Sequence, residues 1–245
     1  MGDGLALSYV VPAHNSTSTI ERTLDELDSQ LADMGDGAAE ILVVENGSSD
    51  GTLELARRLE SEWAGKTPLR VLTCEKGLGN ALREGILASK GNRVFLGADD
   101  LPFGFGDLDA ALELDGDTVP VVVGSKAHRD SVVDRSMLRD VMTFGFRVLR
   151  WLILGMRTKD PQGTFILAGD WARSTAPDLL ESGFLFTTEL AYVAERAGIK
   201  PVEVPVSLRT NHSEHGSRIR VSDVWRMGAG LFVLRKRHRR ARRSV

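Results

Sequence analysis

Two adjacent carboxylates, Asp99 and Asp100, follow a short apolar run, Val94 to Leu96, and precede Leu101-Pro102. The run is long enough only for a buried strand, and two acids at its carboxyl end repel each other unless a positive charge lies near them. In an open α/β sheet that end is where ligands bind. Mg²⁺ is commonly held there by one or two carboxylates, with substrate phosphates completing its shell. One reading of Asp99 and Asp100 is therefore a metal pair for Mg²⁺ or Mn²⁺ carrying a phosphorylated ligand. The other is a turn or helix start in which one acid caps the helix. Further along, Asp160 and Glu189 are candidate proton acceptors, Asp160 first, for a hydroxyl substrate that needs a general base. A phosphate is already ionised and needs none. Weight would then fall on Lys126, His128, Arg129, Arg135 and Arg139 as a cationic seat, although arginines on a helix also serve simply as its solvated face.

The elements that position these residues alternate in type. Leu5 to Val11 reads as a first strand ended by Pro12-Ala13-His14-Asn15, and Ser16 to Thr19 offers hydroxyl caps for a helix carrying Ile20, Leu24, Leu27 and Leu31. Glu40 to Val44 is a second strand, followed by the amide-rich turn Glu45 to Gly51 and a helix from Thr52 to Trp63. Leu69 to Cys74 is a third strand, followed by the turn Glu75 to Asn80 and a helix through Ala81, Leu82, Ile86 and Leu87. Val94 to Leu96 is the fourth. This alternation predicts an α/β fold with a mostly parallel, Rossmann-like central sheet, helices on both faces and its loops gathered at one edge. A fifth strand, Val119 to Val123, leads into Gly124-Ser125-Lys126-Ala127-His128-Arg129. A long helix over Val133 to Leu154, an extended run from Thr164 to Leu167, a helix from Thr187 to Ala197 and an edge strand within Pro201 to Leu208 follow, the edge being signalled by Pro205. The stretch from Arg209 to Arg220 is polar, and an amphipathic helix over Val221 to Arg243 ends the pattern.

Composition narrows the class. The chain has 245 residues, 42% of them hydrophobic, enough for one large α/β domain. The reading is a single unit with a nucleotide half over about 1–118, an acceptor half over about 119–220 and a basic helix over 221–245. One cysteine, Cys74, argues against a disulfide framework and fits a reducing compartment. No apolar run approaches bilayer-spanning length and the first residues lack the pattern of a signal peptide, so a cytoplasmic protein, peripheral at most at the inner membrane face, is expected. The net charge of −3 hides seven basic residues between Arg235 and Arg243, and the rest of the chain is near −10 without them. That balance argues against a body built to wrap nucleic acid. The same basic run, following Trp225, Met227, Leu231 and Phe232, suggests contact with an anionic membrane, a frayed solvated end being the alternative. Gly77-Leu78-Gly79 is not a full dinucleotide fingerprint, and no P-loop occurs.

The motifs, taken in order, resemble those of family 2 inverting glycosyltransferases of the GT-A fold, and most of all the dolichyl-phosphate glucosyl- and mannosyltransferases. Pro12-Ala13-His14-Asn15 resembles the P-A-Y-N box, Val44 to Thr52 the V-D-D-G-S-T-D-x-T box, Lys76 to Ala81 the K-G-x-G-x-A segment, and Gly97-Ala98-Asp99 the Asp-Ala-Asp motif. Gly124 to His128 resembles G-S-R-x-H, Asp160 to Phe165 the D-T-Q-x-G-F box, and Glu203-Val204-Pro205-Val206 the E-V-P-V strand. The departures are Gly97 for the first Asp of the metal motif, Glu45-Asn46 for the paired acids of the second box, and His14 for the aromatic of the first.

The resemblance implies a nucleotide-diphosphate sugar as donor, held by Pro12, Ala13, His14, Asn15, Glu45, Asn46, Lys76, Gly77, Ala98, Lys126 and His128, with Asp99, helped by Asp100, on the metal. His14 and Asn15 also suit turn chemistry and a helix cap. It implies a hexose transferred with inversion to a polyprenyl phosphate, or to a small-molecule acceptor. By the same resemblance, the segment holding His215 and Arg218 closes over the diphosphate, although its composition also suits a solvated loop. A second expectation is a flavin-independent mutase that rearranges the ring of a nucleotide sugar without an acceptor.

Overall fold

The computed structural model describes residues 5–35, 37–132, 137–209 and 221–241. Seven strands form one sheet in the order β3-β2-β1-β4-β6-β5-β7. They are β1 Leu7–Ala13, β2 Ala39–Glu45, β3 Leu69–Thr73, β4 Arg93–Leu96, β5 Val121–Ser125, β6 Thr164–Ala168 and β7 Val202–Pro205. The helices are α1 Ile20–Ala32, α2 Thr52–Glu62, α3 Leu78–Ala88, α4 Gly106–Leu112, α5 Met137–Leu154, α6 Gly169–Thr175, α7 Phe186–Arg196 and α8 Val221–Ala241. The three predicted βα units and the fourth strand are present. β1, β2 and β4 are buried along their whole length, because helices cover both faces of the sheet and leave no alternation to read. One core layer packs α1 and α2 residues such as Leu24, Leu27 and Ala56 against Tyr9, Ile41 and Val43. The other packs α3 and α7 residues such as Leu82, Ile86 and Leu190 against Val10, Leu42 and Phe165.

Two features depart from the sequence reading. β1 does not stop at Val11 but runs on through Pro12 and Ala13, paired to Val44 and Glu45. β4 ends opposite Val10, so at Pro12 the strand has a neighbour on one side only, where a missing N–H is tolerated. The extended run at Thr164 is β6, and it is antiparallel to both β4 and β5. A local pattern carries no sign of strand direction. Short helices α4 and α6 were not legible either, each having only seven residues. β7 lies at the sheet edge, paired only with β5, as Pro205 indicated.

The reversal of β6 decides where the chemistry gathers. β1, β2, β3 and β4 are mutually parallel, and β5 points the same way because it is antiparallel to β6, which is antiparallel to β4. The loops after β1, β2, β3, β4 and β5 therefore leave one pole of the sheet. The segment Asp160 to Gly163 arrives at that same pole because it precedes β6.

Candidate active site

The first two loops are laced together by side chains. The hydroxyl of Ser48 accepts from the amide of Asn15 at 3.0 Å, and Asn15 Oδ1 accepts from the amide of Ser49 at 2.9 Å. Asp50 accepts from the Thr52 hydroxyl at 2.5 Å, from the Thr17 hydroxyl at 2.9 Å and from the Thr52 amide at 3.0 Å, and these bonds, the Thr52 hydroxyl's above all, hold its pKa down at about 2. Asn15 adopts φ +54°, a conformation that Asn tolerates better than most residues. Both ends of the buried Asn46 side chain are occupied: Nδ2 donates to the carbonyl of Ala13 at 2.9 Å, and Oδ1 accepts from the amide of Gly77 at 3.2 Å. Asn46 thus joins the loops after β1, β2 and β3. The ring of His14 places Nδ1 3.2 Å from the Asn46 carbonyl, where an Nδ1–H donates to it. Glu45 is buried, and one of its carboxylate oxygens accepts from the amide of Ser48. Pro12 and Ala13 are buried at the end of β1, whereas Lys76 is exposed beside Gly77.

Asp99 sits at the pole beyond β4. Its carboxylate accepts from the hydroxyl of Ser16, and its carbonyl accepts from the Thr23 hydroxyl at 2.7 Å. Ser16 to Thr19 were expected to offer hydroxyl caps for α1. The first turn of α1 instead has no side-chain cap, and the Ser16 hydroxyl points at Asp99. Burial lifts the pKa of Asp99, the Ser16 hydroxyl opposes that shift, and the adjacent Asp100 carboxylate adds to it. Adjacent carboxylates are hard oxygen donors of the kind that Mg²⁺ or Mn²⁺ takes. Among the described residues no group of three or more His, Cys, Asp or Glu side chains is placed to hold a metal. A cation on Asp99 and Asp100 would complete its shell with water and substrate phosphate oxygens, the usual arrangement for Mg²⁺.

Gly97 has a steric cause. Tyr9 is fully buried and stacks on Phe95, with centroids 4.5 Å apart and planes 13° from parallel. A Cβ on residue 97 would lie 2.4 Å from Tyr9 Cε1 and 2.7 Å from its Oη. The ring occupies the volume that an aspartate at 97 would need.

Across the pole, Asp160 and the loop after β5 meet. Asp160 Oδ2 accepts from the amide of Lys126 at 2.9 Å, with Lys126 Nζ 3.7 Å away, and Oδ1 accepts from the amide of Gln162 at 3.3 Å. Lys126 Nζ lies 5.5 Å from the ring centre of Phe103, in the loop after Asp99 and Asp100. His128 is turned toward Asp130, 3.6 Å from its carboxylate. Behind them, the buried Arg150 of α5 donates to the carbonyl of Lys159 at 2.9 Å and to that of Thr158 at 3.4 Å. Burial lowers its pKa to about 10. Arg150 falls within the long helix expected over Val133 to Leu154. Its task was not legible, because the contact is to backbone eight and nine residues away.

Glu189 is placed differently from the base expected of it. It is fully buried on α7, and its four acceptor positions are filled: Oε2 by the amides of Leu180 and Glu181, each at 2.8 Å, and Oε1 by Arg237 at 3.1 Å and His238 at 2.8 Å. A carboxylate offers about four such sites. The geometry therefore argues for an anchor of α8 and not for a proton acceptor. His215, Arg218 and Arg135 lie outside the described residues, as does the side chain of Arg139.

Comparison with known proteins gives this pole its context. A family model described as "Glycosyl transferase family 2" matches residues 8–176. The dolichyl-phosphate beta-glucosyltransferase of Drosophila melanogaster is 30% identical over 94% of this chain and 74% of its own length, and that of Homo sapiens is 30% identical over 95% and 75%. Among solved structures, mannosyl-3-phosphoglycerate synthase from Rubrobacter xylanophilus superposes with a TM-score of 0.66 at 19% identity, over 98% of this chain and 76% of that one. The mannosyltransferase PcManGT from Pyrobaculum calidifontis, solved with GDP-Man and Mn²⁺, gives 0.58 at 19% identity, over 97% and 64%. The fold is GT-A, and the chain belongs to glycosyl transferase family 2. These relatives lend no support to the mutase expectation.

Proposed function

We propose that this family 2 glycosyltransferase moves a hexose, with inversion, from a nucleotide-diphosphate sugar to a polyprenyl phosphate. The observation that carries the choice of acceptor is the engagement of Asp160. Its carboxylate holds the amide of Lys126 and lies beside the Lys126 ammonium, so it positions a cation at this side of the pole. A phosphate acceptor suits that arrangement, since it arrives ionised and is attracted by Lys126. The names of the 30% identical relatives agree with a lipid phosphate acceptor.

In this reading the linked loops after β1 and β2 hold the nucleoside, with the His14 ring and Glu45 nearest to it and Asn46 keeping the loops in register. The turn from Gly47 to Gly51 offers backbone amides to polar ligand groups. Asp99 and Asp100 would hold Mg²⁺ or Mn²⁺, which when bound neutralises charge on the leaving diphosphate. Ser16 orients the Asp99 carboxylate for that task. Lys126 draws the acceptor phosphate to the opposite side, and catalysis is then mainly positioning and electrostatics. His215 and Arg218 belong to this proposal as diphosphate contacts. In this reading peripheral membrane contact brings the protein to its acceptor; no helix among the described residues is long and apolar enough to cross a membrane.

The test has two parts. A thermal-shift panel of UDP-, GDP- and dTDP-sugars with and without Mg²⁺ or Mn²⁺ identifies the donor, because a ligand of the native state raises its stability. That donor is then incubated with a polyprenyl phosphate or with the matching polyprenol. Product from the phosphate alone is expected. Equal transfer to the alcohol would overturn the anionic-acceptor reading, and an isomer of unchanged mass from donor alone would overturn transfer itself.

A further inference from the structure

The helix pair α5 and α8 carries a surface that the reaction does not use. On α5, Phe144, Val148, Trp151 and Leu152 recur at helical spacing and are exposed, three of them by 60% or more. On α8, Phe232 and Val233 are exposed by 61% and 51%. None of these is a core residue turned out by fraying. The inward sides of the same helices are packed, with Ile153, Leu231, Leu234 and Leu185 in one cluster and Leu149 against it. A Cβ on Gly230 would fall 2.3 Å from Leu185, so α8 is seated closely, and its end is tied down by Glu189 through Arg237 and His238. Several large apolar side chains left exposed on two firmly docked helices that pack against each other point to an interaction site.

Charge identifies the occupant. Residues 143–154 and 228–238 include no acid, while Arg147 and Lys236 are exposed among the apolar groups. The chain outside the terminal basic run is net negative, so these helices form a positive pole on an otherwise acidic molecule. A second copy docked face to face would set Arg147 and Lys236 near their own like charges, which self-association disfavours. An anionic phospholipid surface offers what both groups lack: headgroup phosphates for the cations and an acyl boundary for Trp, Leu and Phe.

We propose that the outer face of α5 and α8 docks this protein on an anionic bilayer, with Trp151, Leu152 and Phe232 entering the interface and Arg147 and Lys236 pairing with lipid phosphates. The inference deepens the polyprenyl-phosphate reading, and it assigns the docking to this face and not to the basic terminus alone. It also connects membrane to site. Arg150, next to Trp151, holds the carbonyls of Thr158 and Lys159 immediately before Asp160.

The test is co-sedimentation of the full chain with phosphatidylcholine vesicles with and without phosphatidylglycerol. Binding is expected only with the anionic lipid. The double variant Arg147→Gln, Lys236→Gln is expected to weaken it about thirtyfold, at about 1 kcal/mol per charge. Trp151→Ser with Leu152→Ser is expected to abolish detectable binding. All four positions are outside the core, and an unchanged thermal midpoint confirms the fold. Failure of the native chain to bind anionic vesicles would overturn the proposal, as would binding that survives both variants but is lost on removing residues 239–245. Dimers in light scattering that Trp151→Ser with Leu152→Ser dissolves would assign the face to a second copy and overturn it too. Transfer to a short, water-soluble isoprenyl phosphate is read in parallel and should be unaffected by these variants, so failure of docking and failure of the transferase reading remain distinct.

Discussion

Replacing Glu189 separates an anchor from a base. In Glu189→Gln the side chain keeps its size, but one oxygen becomes an NH₂ group. If the remaining oxygen stays with the amides of Leu180 and Glu181, the NH₂ faces Arg237, a donor that cannot accept, and His238, which can accept only as a neutral ring. The lost charge-assisted bonding is about 1.5–3 kcal/mol. With a urea slope of about 2 kcal/mol/M, the unfolding midpoint should fall by about 1 M. Glu189→Ala removes one partner of a buried ionic group and should cost about 3–5 kcal/mol. The pH dependence supplies an independent check. Burial on its own raises the pKa of Glu189, but the bonds from His238, the Glu181 amide and Arg237 outweigh it and leave the folded value below the ordinary 4.5. The stabilisation is therefore complete above pH 4.5 and is lost as pH falls through the folded value, and Glu189→Gln should remove this part of the acid sensitivity. Turnover per folded molecule should stay within about tenfold of the native protein, since a chemical base contributes on the order of a hundredfold or more. Unchanged stability with turnover reduced about a thousandfold would refute the anchor and restore the base.

Other residues give equally direct tests. Gly97→Asp should not strengthen metal binding but should destabilise the fold by about 1–3 kcal/mol, because its Cβ meets the buried Tyr9 ring; urea unfolding measures this. Asp99→Asn should remove any dependence of donor binding on Mg²⁺ or Mn²⁺ and most of the activity, and full activity of that variant in EDTA would contradict the role. Arg150→Met should leave donor-induced thermal shifts intact while lowering turnover about tenfold or more, as the backbone before Asp160 loses its two donors. Burial pushes the Cys74 thiol up to about 11, so alkylation at pH 8 should be on the order of a hundredfold slower than for an unburied cysteine.

The alternation of short apolar runs with amphipathic helices determined the α/β class, because a strand buried on both faces and a helix buried on one leave different periods in a sequence. The polar turns that gather at the pole were legible for the same reason, as Gly, Asn, Asp and Ser interrupt both periods. Asp99, Asp160 and Lys126 could be singled out by residue type and by resemblance. What each of them touches could not. Only the reversed direction of β6 brings Asp160 to Lys126, and only the packed sheet puts the Tyr9 ring where Gly97 needs a side chain to be absent. Asn46 and Glu189 are the clearest cases. Both are polar residues of the kind that binds ligands, yet they are hydrogen-bonded to groups as far as 33 and 49 positions away, respectively. A sequence records which donors and acceptors a chain possesses, whereas the pairing among them is fixed by long-range contacts that exist only once the chain has folded.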